Sequence, residues 1–273
     1  MSATVPVLPA GAPADAAARA PGALTRFLPV YRRNFMVWRK LAGPSLVANV
    51  ADPLITLVAF GYGLGALVPT VAGVRYVEFL AAGALCMSAM MSASFEALYS
   101  AFSRMHVQRT WESIMNAPLT LDDVLRAEWL WAATKSLVSS IAIVLVLLAL
   151  GVSRAPTLAL VIPVAVLTGL CFSALALCCN ALARNYDFFS YYFTLVLTPM
   201  VFVSGVYYPA GALPPWLAAL AQWLPLASAV DLARPLVLGQ WPVRVAVPLA
   251  VLIAYATAGW FLARTLTRRR FRA

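Results

Sequence analysis

The stretch with the most chemistry to offer is Arg109-Thr110-Trp111-Glu112-Ser113-Ile114, followed by Met115 and stopped by Asn116-Ala117-Pro118. These residue types suit docking rather than catalysis. An indole is a large, rigid contact surface, and aromatic anchors seated in grooves dominate many protein interfaces. Trp111 is therefore expected to be exposed and to fill a groove on a soluble partner. Arg109 and Glu112 would meet charges on that partner's rim, where an exposed pair contributes only about 0–1 kcal/mol. The competing reading is an ordinary interfacial loop with Trp111 at the level of lipid headgroups.

Catalytic readings find little to stand on. His106, the one histidine, lies in a basic stretch, and neither HExxH nor GxSxG occurs. The only lysines, Lys40 and Lys135, follow Arg39 and Thr134, so the Gly-Lys-Ser/Thr end of a P-loop is missing. In Gly61-Tyr62-Gly63-Leu64-Gly65 a dinucleotide fingerprint would need a further glycine where Ala66 or Val68 stands. Gly61 and Gly65 have instead the spacing that lets two membrane helices approach closely, at a subunit interface for example. Cys86, Cys171, Cys178 and Cys179 have no CxxC spacing and read as small packing residues, with no metal site and no disulfide framework.

The elements that must position these residues are apolar and long. Six segments, 45–67, 77–101, 129–150, 157–181, 188–207 and 243–262, each have about 20 residues or more. At about 1.5 Å per residue that length crosses a hydrocarbon core of about 30 Å. With 63% hydrophobic and 11% charged residues, the chain reads as all-α and integral to a membrane. The net charge of +10 is a topology signal rather than a nucleic-acid footprint, because it is not spread evenly. All basic residues except Arg75, Arg154, Arg234 and Arg244 fall before the first span, after the even-numbered ones or at the start of the third. The positive-inside bias then puts both termini in the cytoplasm.

The first 23 residues, rich in Ala and Pro, read as a disordered cytoplasmic tail without the pattern of a secretory signal. From Leu24 to Leu41, Phe27, Tyr31, Phe35 and Trp38 recur at helical spacing among arginines. This predicts a basic amphipathic helix on the membrane surface, turned into the first span at Gly43-Pro44. Thr120 with Asp123 predicts a capped start for the helix of the third span. Prolines at 209, 214, 215 and 225 cut 208–239 into apolar pieces too short to span, which read as a re-entrant pair at the periplasmic end. Residues 265–273 read as a basic cytoplasmic tail. Asp52, Glu78, Glu96 and Lys135 are charges within or beside the spans; an intramembrane carboxylate such as Asp52 is a functional candidate, unless it reaches the interface.

At this point the chain resembles the ABC-2 permeases. The late signature of that family is matched by Leu224-Pro225-Leu226-Ala227-Ser228-Ala229-Val230-Asp231-Leu232-Ala233-Arg234, and upstream by Leu197, Met200, Ser204 and Val206; Val203 departs from it. Arg109–Ile114 with Ala117-Pro118 and Asp122-Asp123 is similar to the coupling segment of the lipo-oligosaccharide (Nod factor) exporter permeases, with Gln108 where a leading acid would stand. The resemblance covers about 24–264 and implies a type V exporter-like half-transporter of the bacterial inner membrane. Two permease copies would work with two ABC ATPase subunits, which bind ATP and Mg; this chain would hold no cofactor. The coupling segment is 104–118, and the first, second and fifth spans of two copies would form the path. Tyr191, Tyr192, Phe193 and Phe202 are candidates to line it, stacking the sugar rings of an amphipathic glycolipid. A permease for another amphipathic substrate or drug, a secondary transporter and a membrane-embedded transferase are the alternatives. The last two lack mid-membrane coupling acids and a cluster of acids or histidines, respectively.

Overall fold

A computed structural model describes residues 25–272, apart from the side chains of residues 46, 48–50, 52 and 53. The expected tail at 1–23 and the Asp52 carboxylate thus lie outside the described residues.

The amphipathic segment folds as α1, Leu28–Arg39, with Pro29 in its first turn. The break before the next helix falls at Lys40-Leu41, and Gly43-Pro44 enters the first turn of α2, Ala42–Thr56. Helical turns go on through a π-helical stretch, Leu57–Leu64, to Gly65–Leu67. A two-residue hairpin follows, β1 (Thr70–Val71) and β2 (Val74–Arg75), joined by Ala72-Gly73 with both residues at positive φ. That is the turn a tight hairpin needs, and it is a small exception to the all-α expectation.

Next come α3 (Tyr76–Val107), α4 (Thr110–Met115) and α5 (Leu121–Ala149). The capping box forms, with the Thr120 hydroxyl accepting from the Asp123 N–H and Asp123 accepting from the Thr120 N–H. Then follow α6 (Val161–Leu182), α7 (Asp187–Val203), α8 (Pro215–Ala221), α9 (Pro225–Val237) and α10 (Ala246–Arg270). The proline-bounded pair is present: α8 and α9 meet at a bend of 84°. Pro225 lacks an N–H and holds Leu224 extended, which forces that break.

Among the described residues four helices are long and apolar enough to cross a membrane: α3, α5, α6 with the turn before it, and α10. The bent pair would make a fifth. The segments expected as first and fifth spans contain shorter apolar helices, Leu54–Leu67 and Asp187–Val203. Both are loosened by π-helical turns, the first around Gly61, Gly63 and Gly65, the second just before Pro199. Gly205, at φ +73°, then ends the second.

The long helices organise around α3. Its most apolar stretch is 89% buried, against 33% for α10, so α3 faces protein on all sides and α10 largely faces outward. Trp129 clamps the outer helices, its Nε1 donating to the Leu170 carbonyl at 2.8 Å and its ring stacking on Trp260. Gly83 permits a close approach. A Cβ there would lie 2.6 Å from the Val206 carbonyl oxygen, so the loop after α7 presses directly on α3. Helix α10 continues to Arg270, through most of the basic segment 265–273, and packs back on the bundle.

Candidate functional site

The charged residues at the basic end of the bundle form one connected network. Arg104 on α3 donates through Nε and Nη2 to the two carboxylate oxygens of Glu128 on α5, at 2.9 and 2.5 Å. It also donates to Glu96 Oε1 at 2.9 Å. Glu96 and Arg104 are eight residues apart, two helical turns, and so share a face of α3. Glu96 Oε1 accepts a second hydrogen bond, from Trp131 Nε1 at 2.9 Å. Trp131 in turn meets the rings of Tyr31, Phe35 and Trp38 at 5.8, 6.3 and 6.0 Å, which seats α1 on the bundle. Tyr31 adds a hydrogen bond to Thr134 at 2.8 Å. Burial, and next the nearby Arg104 guanidinium, lower the proton affinity of Arg33 on α1, so cations crowd this end.

Helix α4 is tied into the other end of the network. Trp111 is 1% exposed, which overturns the expectation of an exposed docking anchor. Its Nε1 donates to Glu128 Oε1 at 3.3 Å, and Phe271, just past α10, lies nearly parallel to its ring at 6.1 Å. The indole turns inward because a buried carboxylate and an aromatic face both wait there. The outward face of α4 belongs to Arg109, Glu112 and Ser113, which are exposed. Thr110 is half-buried and donates to Gln108 Oε1 at 3.3 Å; Ile114 packs against the buried cluster around Trp111. Arg109 adopts a left-handed backbone, φ 48°, in the sharp turn from α3 to α4.

Two further clamps come from α10. Asp122 accepts hydrogen bonds from Arg264 Nε and Arg268 Nε, at 3.0 and 2.9 Å. Arg270 Nη1 donates to the carbonyls of Asn180 and Ala183 at 2.9 and 2.6 Å, a cation at the C-terminal end of α6 where the helix dipole favours one.

The other residues singled out in the sequence are dispersed. Glu78 makes an exposed i,i+3 pair with Arg75, away from the network. Lys135 is buried and donates from Nζ to Ser45 Oγ at 2.7 Å, with the Trp38 ring beneath it. The glycine pair makes its close contact within the chain: a Cβ on Gly61 would lie 2.9 Å from Val77, while one on Gly65 would be in ordinary contact with Tyr76 at 3.8 Å. The four aromatics of α7 do not form one wall. Tyr191 is 64% exposed and Phe202 also faces out, whereas Phe193 packs on Phe95 at 4.6 Å and the Tyr192 hydroxyl is buried. Sequence reasoning missed Glu128, the hub of the network. A carboxylate one residue before the apolar run of the third span, seven residues from Lys135, was the available signal.

Comparisons with known proteins agree with this architecture. A family described as ABC-2 type transporter matches residues 25–238. Nodulation protein J of Rhizobium meliloti is 42% identical over 244 residues, 89% of this chain and 93% of that protein. Nodulation protein J of Bradyrhizobium diazoefficiens is 45% identical over 241 residues, 88% and 92% of the two chains. A more distant relative, the inner membrane transport permease YadH of Escherichia coli, is 25% identical over 227 residues, 82% and 88% of the two. With its long apolar helices, its bent proline-bounded pair and this match, the chain belongs to the ABC-2 type transporter family, as a membrane permease similar to nodulation protein J.

Proposed function

We propose that this permease is the membrane half of an ATP-driven exporter whose cargo is a lipo-oligosaccharide or related amphipathic glycolipid. Two copies would assemble with two separate ATPase subunits, which bind ATP and Mg. The chain would lie in a bacterial inner membrane, crossing it six times with the basic end and both termini in the cytoplasm, as the distribution of arginines favours. The second copy would cover the outward apolar side chains of Gly65–Leu67, α2 and α7, and the path would run between the copies, with Tyr191 and Phe202 offering ring faces to sugars.

One observation carries this reading. Helix α4 offers charges outward at Arg109 and Glu112 while its tryptophan is fixed inward to Glu128. The outer face suits a partner that moves, and the inner face suits transmission. When the ATPases close, a displacement of α4 is passed from Trp111 to Glu128 and Arg104, and from there to Glu96, Trp131 and α1. Helices α3 and α5 then shift together, because the hydrogen bonds joining them are charge-assisted, and α1 follows through the Tyr31–Thr134 hydrogen bond and the rings around Trp131.

Reconstitution with a candidate ABC ATPase subunit that co-purifies with the permease tests this. Arg109→Glu combined with Glu112→Arg is expected to release the ATPase and abolish ATP-driven transport. Trp111→Phe keeps the ring and removes the N–H; it is expected to hold the ATPase while transport falls several-fold. Full transport by the charge-reversed protein, ATPase bound, overturns the coupling role. If coupling is normal but no glycolipid stimulates ATP hydrolysis in bilayers, the cargo assignment alone falls.

A further inference from the structure

A cavity of about 510 Å³ opens beside α1 at the basic end, lined by residues of α1, α2, α3 and α5 together with Tyr186. Its polar side is rich in donors. Asn34 is only 3% exposed; its Oδ1 accepts from Arg33 Nη1, which leaves Nδ2 as the donor, and among the described residues that nitrogen has no partner. Arg33 lines the same space. Lys135, 8% exposed, donates to Ser45, and an ammonium carries three N–H groups. No ion pair within 4 Å engages Lys135 or Arg33 among the described residues, whereas Glu96, the acid on this wall, is already held by Arg104 and Trp131. Together with the buried Glu128, the Arg104 triad carries one negative charge; among the described side chains, Arg33 and Lys135 leave the surroundings net positive.

The opposite side is apolar. The rings of Trp38 and Tyr99 form a wall, and Val37 and Leu41, both exposed, form a rim on the amphipathic helix. Unfilled buried donors in a positive cavity call for an acceptor-rich anion. An apolar rim on a helix of this kind sits where headgroups meet acyl chains. We infer that this cavity binds the phosphate headgroup of an anionic phospholipid from the surrounding leaflet, with Asn34, Arg33 and Lys135 as its donors and an acyl chain over Val37 and Leu41. The bound lipid fixes α1 against α3 and α5, beside the network that holds α4. The inference concerns a resident lipid and is independent of the cargo.

The test uses the purified full-length permease in detergent micelles, titrated with phosphatidylglycerol or phosphatidylcholine and followed by native mass spectrometry. Phosphatidylglycerol is expected to bind at least about tenfold more tightly than phosphatidylcholine. Lys135→Met and Asn34→Asp are each expected to weaken phosphatidylglycerol by about tenfold, and Lys135→Arg to restore it. Asn34→Asp is nearly isosteric, so it remains informative if Lys135→Met does not fold; Arg75→Ala, at the opposite end, should bind as wild type. Equal affinity for the two lipids overturns the inference. So does wild-type phosphatidylglycerol binding by an Asn34→Asp protein that elutes as wild type. Full competition by water-soluble glycerol 3-phosphate would make the ligand a soluble phosphate, and tighter binding of a neutral glycolipid would make it a sugar; either result overturns the lipid assignment.

Discussion

Arg104 and Arg234 are both drawn into the body of this permease, at opposite ends, and their surroundings differ in kind. Arg104 meets two carboxylates brought from different helices, Glu96 and Glu128. Arg234, on α9, donates from Nη2 to the Gly205 carbonyl and lies 3.7 Å above the Phe79 ring. The first arrangement is a chain of charges in which each member relies on the next. The second is local packing, where a guanidinium fills a gap between a ring and a loop. The basic end is thus a connected run of polar partners across helices, and the other end holds a bent pair of helices in place. Hydroxyls strengthen that hold. Ser153 and Thr157 donate to the Val237 and Leu236 carbonyls at 2.6 and 2.7 Å, satisfying the open end of α9.

The contrast is most open to attack at Arg104. Arg104→Ala leaves the buried Glu128 and the half-buried Glu96 without their cation and is expected to cost about 3–5 kcal/mol. Replacing Arg104 by Met together with Glu96→Gln and Glu128→Gln should cost much less, because no charge is left unpaired. Denaturation in graded SDS mixtures measures both, and equal losses would show that the three residues act separately. At the other end, Gly83→Leu forces a side chain against the Val206 carbonyl and is expected to cost about 1–3 kcal/mol. Gly65→Leu, where a Cβ meets only ordinary contacts, should stay near wild type in the same assay. Arg234→Met keeps the stem and loses the hydrogen bond and ring contact. A loss of about 1–2 kcal/mol is expected, with faster proteolysis at 204–208 and no effect on ATPase binding. The smallest effect belongs to Arg109→Gly. Glycine accepts the left-handed backbone, so stability should hold or rise by up to about 1 kcal/mol, while one charge of the α4 rim is lost.

Much of this architecture is legible in the chain, for reasons that are local. Apolar length marks the four long helices, Thr120 and Asp123 cap α5 within four residues, and Pro215 and Pro225 break the pair that bends. The expected first and fifth spans are harder to judge. Their composition is apolar, but glycines and Pro199 loosen the helical turns that carry it. Direction is less legible still. Nothing within α4 says that Trp111 faces inward; that depends on Glu128 and Phe271, which reach it only when α5 and α10 are packed. The spacing of Gly61 to Gly65 is a motif that points to close helix packing, at a subunit interface for example; the neighbour that Gly61 admits here is Val77 of the same chain. Gly83, with the tighter contact, stands in no motif at all.

The clamp on Asp122 also fixes an order in time. Arg268 lies 146 residues further along the chain, and a ribosome adding about 5–20 residues per second needs roughly ten seconds to reach it. Through that interval α5 can be in the bilayer with the Asp122 carboxylate unmatched, and Trp111 lacks its ring from beyond α10. A nascent permease therefore lacks the contacts that hold Asp122 and cover the outer face of the Trp111 ring until synthesis has passed Phe271.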